Sequence, residues 1–171
     1  MMKTDAELSQ PQARLVATAL KAWKTNIDRA TKLFSALNDE QLQAEIAPGK
    51  NRLLYLWGHL TAVNDAMLPL LGFGDRLHPE LDAIFISVPD KSVPKPPSGK
   101  DLKNAWDEIN AKLTPAMQNL SGAEWLQKHN AVSEEDFAKE PERNRFAILL
   151  GRTSHLAYHL GQAILAPRQL D

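Results

Sequence analysis

The chain has 171 residues, 20 Lys plus Arg against 21 Asp plus Glu, a formal charge of −1, 43% hydrophobic residues and no Cys. A chain of this length buries about 70% of its unfolded surface, so a core forms without disulfide or metal support, and any bound metal points to function rather than to scaffolding. Balanced charge removes the basic field that nucleic acid or an anionic membrane requires, and the lack of Cys excludes thiolate metal sites and a Cys nucleophile, leaving His, carboxylates, hydroxyls or a bound cofactor to carry chemistry.

The N-terminal MMKTDAELSQPQ contains no apolar leader and no run approaches a membrane span, which places the chain in the cytoplasm. From Pro11 to about Leu37, the residues Val16, Leu20, Trp23, Ile27, Ala30, Phe34 and Leu37 recur at threes and fours, the stripe of an amphipathic helix. Pro48 and Gly49 break that pattern with a turn. A second helix over about 50–71 is predicted by Leu53, Leu56, Leu60, Val63, Met67 and Leu70, with Pro69 in its last turn. Between Gly72 and Lys100 lie Pro79, Pro89, Pro94, Pro96 and Pro97, which read as a long crossover without helical periodicity. Ser98 and Asp101 form a weak capping box ahead of a third helix marked by Leu102, Trp106, Ile109, Leu113, Ala116 and Leu120, with a bend expected at Pro115. The polar segment 121–143 holds short helical turns, with caps at Ser121 and Ser133, and a fourth helix runs from about Asn144 to Leu165, stopping before Pro167.

No run of β-branched alternation argues for a sheet. The expected fold is therefore all-α: a single four-helix-bundle domain over residues 1–171. Short connections after helices one and three imply antiparallel neighbours, while the crossover lets helices two and three run parallel, an up-down-down-up order. The tryptophans Trp23, Trp57, Trp106 and Trp125 are not all assigned to the core by periodicity. Any self-association is expected to give a homodimer, with no interface residues assigned.

Helix four reads NRFAILLGRTSHLAYHLGQAIL, and the spacing of His155 and His159 puts both imidazoles on one face. Arg152, His155, His159 and Gln162 form a polar stripe beside the apolar Leu149, Leu156, Leu160 and Ala163. Burying imidazoles without partners costs about 1–3 kcal/mol each, whereas a shared divalent ion satisfies both. His59, at the border of the buried stripe of helix two, is the candidate third ligand, and three neutral nitrogens with open positions suit a catalytic metal. The bland alternative is that one side of helix four is simply wet. His78, before Pro79, and His129, in KHN, read as exposed loop residues outside the site.

The helix order, WGHL around His59 and HLAYHLGQ preceded by Arg152 resemble the DinB-like superfamily of metal-binding four-helix bundles. The resemblance spans nearly the whole chain, and its metal ligands fall on His59, His155 and His159. Members include metal-dependent transferases that use low-molecular-weight thiols and hydrolases, so the resemblance implies either class without choosing.

The expected function is thus a divalent-metal-dependent enzyme, a hydrolase or thiol S-transferase, acting on a small-molecule substrate and using zinc or nickel to activate a water or a thiol. Tyr55 and Arg52 share the face of His59 and are expected to serve as hydrogen-bond donor and anion clamp, while Gln162 and Arg152 are the corresponding candidates on helix four. The competing reading is a non-catalytic metal- or small-molecule-binding bundle or a stress-response interaction protein. A ferritin-like di-iron site is excluded, since no Glu-x-x-His pair occurs in the chain.

Overall fold

The apolar stripe of the first segment folds as α1 (Asp5–Ser35), which buries Ala19, Trp23, Ile27, Ala30 and Phe34 against the rest of the chain. The computed structural model describes residues 5–166, with side chains from Gln10 onward, so the expected stop before Pro167 concerns a residue outside that range. A single 3-10 turn (Gln41–Gln43) leads through the Pro48–Gly49 turn to α2 (Leu53–Leu71). Gly72 closes α2 in the left-handed region, φ 82°, with its N–H bonded to the Leu68 and Pro69 carbonyls, a conformation that favours a residue without Cβ.

Apolar residues cover nearly the whole circumference of α2, and Leu54, Trp57, Ala62 and Leu68 are buried along with the predicted stripe, while Leu70 stays half-buried. A helix apolar all round belongs at the centre of its domain. α4 (Gly99–Gln118) starts at a full capping box, in which the Ser98 side chain accepts from the Asp101 N–H and the Asp101 carboxylate accepts from the Ser98 N–H. It runs through Pro115 to its end. The 121–143 segment folds into α5 (Gly122–Trp125) and α6 (Glu134–Lys139), capped by Ser121 and Ser133 as expected. Asn144 caps α7 (Arg145–Ile164).

The chain is thus all-α, with four long helices and no strand among the described residues apart from the isolated bridges Glu45 with Arg52 and Lys128 with Asn144. The principal packing differs from what connection lengths suggest: α1 lies mainly on α7 and α2 on α4, while α2 also packs on α7 and α1 on α4. Neither supposed short link is short. Residues 36–52 and 119–144 carry turns and helices of their own, so they do not force sequential helices side by side. All four tryptophans are buried, with Trp57 stacked on Phe34 at 5.4 Å between ring centroids.

The crossover is more ordered than its prolines suggest, because it contains the short helix α3 (Leu81–Phe85), which packs on α2 through Leu81 and Phe85. Two carboxylates fasten its ends. Buried Asp65 accepts from the N–H groups of Leu77 and His78 and from Arg76, which also pairs with Asp82. At the far end Asp90 takes the Arg52 guanidinium, with Oδ1 2.6 Å from Nη2, and accepts the Arg52 backbone N–H.

Candidate metal centre

His59 sits one turn after Tyr55 on α2, with Leu56 and Leu60 buried beside it, so the register that fills the core leaves its ring half-buried and turned toward α7. There the four-residue spacing brings His155 and His159 to one face. The Nε2 atoms of His59 and His155 are 3.2 Å apart, and those of His159 and His155 3.1 Å. Among the described residues, these three offer ligand atoms that all lie within 4.8 Å of one another, an arrangement that could hold a metal ion.

The outward nitrogens decide which way the inward ones point. His59 Nδ1 lies 3.0 Å from the Phe85 carbonyl, which can only accept, so this nitrogen carries the proton and Nε2 presents a lone pair. Gln162 does the same for His159. Its amide nitrogen donates to the Tyr158 hydroxyl at 3.0 Å, which leaves Oε1 to accept from His159 Nδ1 at 2.8 Å. The Nδ1 of His155 is buried and has no partner. Two lone pairs therefore converge on the one ring whose tautomer nothing fixes.

Electrostatics keep His155 and His159 neutral. Burial, then the neighbouring His159, His59 and Arg152, push His155 down to about 4. His159 is also lowered by burial, with the Gln162 hydrogen bond opposing and His59 adding to the shift. At neutral pH neither of these two rings is an imidazolium, so each keeps one unprotonated nitrogen, as coordination requires.

The remaining predicted residues divide by partner. Arg152 and Gln162 lie half-buried on the face of α7 that carries the histidines, as the polar stripe implied. Arg52 is no open anion clamp, because Asp90 and the Gln43 side chain occupy its guanidinium. Tyr55 spends its hydroxyl on the Val88 carbonyl at 2.7 Å and sets its ring edge-on to Phe85. Both hold the crossover. His78 bridges Glu80 and Glu108, and His129 Nδ1 accepts from the Ala131 N–H, so neither joins the cluster.

Sequence reasoning missed the Phe85 carbonyl, the orienting group on His59. A signal existed in Gly58, a glycine inside a helix, which marks close approach of another element. A Cβ at this position would lie 2.4 Å from the Phe85 ring.

Two solved structures share the fold. A DinB-like protein from Bacillus cereus is 20% identical, with a TM-score of 0.61 over 86% of this chain and 87% of its own. A conserved protein from Enterococcus faecalis is 14% identical, with a TM-score of 0.59 over 86% of this chain and 92% of its own. No curated protein matches the sequence. The sequence profile of the DinB superfamily matches residues 22–163, most of the chain and all three histidines. That match over most of its length makes this chain a member of the DinB superfamily.

Proposed function

We propose that the protein is a divalent-metal-dependent enzyme of the hydrolase or thiol S-transferase type, acting on a small molecule at the three-histidine centre. One observation carries the reading: two imidazoles are fixed by Phe85 and Gln162 with their lone pairs facing a third ring, with no acidic group among the causes of its shift. Lone pairs so opposed repel unless a proton or a cation lies between them; the Nε2–H of neutral His155 would serve in the metal-free protein, and a bound cation would take its place.

The spacing suits the purpose. Tetrahedral coordination with Zn–N bonds of about 2.05 Å separates ligand nitrogens by about 3.3 Å, close to the 3.1 and 3.2 Å found between rings. His59, His155 and His159 would hold the ion, with zinc or nickel suited to three imidazoles. A bound divalent ion supplies Lewis acidity that lowers the pKa of a coordinated water or thiol. Gln162 acts as a positioning residue by fixing the His159 tautomer, and Tyr158 in turn orients Gln162. Tyr55 acts at one remove, by holding Val88 and the Phe85 ring over α2.

The proposal also takes the four long helices as an up-down-down-up bundle. Supporting it, Thr31 late in α1 bonds Trp106 early in α4, Asn64 of α2 pairs with Asn110 of α4, and Arg145 at the start of α7 lies beside Gly72 at the end of α2.

Elemental analysis of tag-free protein tests the reading. About one equivalent of metal is expected in the wild type and its loss in His59→Ala, His155→Ala and His159→Ala, with helical circular dichroism retained. Negligible metal in the wild type after incubation with zinc or nickel would overturn it. Bound metal without turnover of thiol, ester or amide substrates would instead favour a binding protein.

A further inference from the structure

Among the half-buried arginines, Arg143 and Arg152 have no ion pair within the described residues, and of these two only Arg152 lies on the face that carries the histidines. Arg52 is paired with Asp90, Arg76 with Asp65 and Asp82, and Arg145 lies within electrostatic reach of Glu124. Arg152 is half-buried with no hydrogen bond or ion pair recorded among the described residues, and burial alone shifts it, weakening its hold on its proton. A desolvated guanidinium without a counter-charge is unfavourable in the resting protein.

Among the described residues, α7 contains no acid, and the acids on the helices packed against it are engaged elsewhere: Asp65 of α2 with Arg76 and the Leu77 and His78 N–H groups, Asp28 of α1 with Lys24, and Glu124 of α5 with Ser121. Arg152 precedes His155 by three residues, so the two side chains neighbour each other on one face, and its charge reaches the ring. Three neutral ligands leave a bound cation's charge undiminished, which adds a second positive centre beside the first.

We infer that Arg152 forms an anion subsite, and that the molecule processed at the three-histidine centre bears a carboxylate beside its reacting group. The inference rests on the metal-enzyme reading for the reacting end and on Arg152 alone for the acid end. The planar guanidinium receives the carboxylate in two parallel hydrogen bonds, which a lysine at the same position reproduces only as a point charge.

Zinc-loaded, tag-free protein is titrated calorimetrically with 3-mercaptopropionate and with 3-mercaptopropionamide, its neutral counterpart. The acid is expected to bind about tenfold or more tightly than the amide in the wild type. Arg152→Gln should remove that preference while leaving amide affinity and zinc content unchanged, and Arg152→Lys should restore part of it. In parallel, the side-chain Nε–H resonance of Arg152 is followed in metal-free protein titrated with propionate or propionamide, and only propionate should move it saturably. If zinc fails to load, the metal reading falls, and the metal-free titration alone decides the anion subsite. Equal affinity for acid and amide in the wild type, an acid preference that survives in Arg152→Gln, or an Arg152 resonance indifferent to propionate would each overturn the inference.

Discussion

At the scale of single residues, the three histidines were legible because helical periodicity converts sequence spacing into direction. His155 and His159 share a face at any rotation of their helix, and His59 interrupts a stripe that otherwise fills the core. What the ring nitrogens touch was not legible, since a backbone carbonyl leaves no mark in composition. The depressed pKa of His155 has a thermodynamic signature in the metal-free protein. The unfolded chain takes up a proton near 6.5, whereas the folded chain does so only near 4. The unfolded state binds more protons in that window, so stability is fully present above 6.5 and declines as pH falls toward 4. Partial exposure of the ring reduces the contribution to about 1–2 kcal/mol. Urea unfolding of metal-free wild type and His155→Gln should show the wild type losing more stability by that amount between pH 7 and pH 4. Parallel curves would refute the assignment.

Among elements, the four long helices could be read because their apolar residues recur at threes and fours, and α4 and α7 also have recognisable starts at Ser98 and Asn144, whereas α2 starts at Arg52 without a side-chain cap and α1 starts at Asp5, ahead of Pro11. α3 could not, because a helix of this length has too few turns to display a period and stands among prolines. Its effect on the centre nonetheless runs through a residue visible in the sequence, Gly58. With the Phe85 ring occupying the space where a Cβ would lie, Gly58→Ala must displace that buried ring, and the expected consequence is a shift of α3 and of the carbonyl that fixes His59. The gain in helix propensity from removing a glycine, about 1 kcal/mol, is outweighed by overpacking of about 1–3 kcal/mol. The expected result is a small net loss of stability together with about 10–100-fold weaker zinc binding, the usual scale for an outer partner of a metal-bound imidazole. Chelator competition measures the second quantity, and unchanged zinc affinity would show that His59 does not depend on the crossover.

For the molecule as a whole, the centre joins parts of the chain that are far apart in sequence: α2, α7 and, through Phe85, the crossover. A ligand that binds only this folded arrangement stabilises all of it, by about 2.7 kcal/mol at a free concentration of 100 times its Kd. For a chain of this size that corresponds to a rise in melting temperature of about 5–10 °C. Thermal unfolding with and without zinc should show that rise in the wild type and not in His59→Ala, whereas equal rises in both would place the zinc elsewhere. The packing order of the long helices was the least legible level, since connections with their own short helices do not constrain which neighbour a helix meets. The crossover is moored by Asp65 at one end and Asp90 at the other, and the lengths fixed by those two anchors stop short of the exposed, proline-rich run around Pro94 and Lys95. Insertions in that outer run therefore leave both moorings, and the aim of the imidazoles between them, undisturbed.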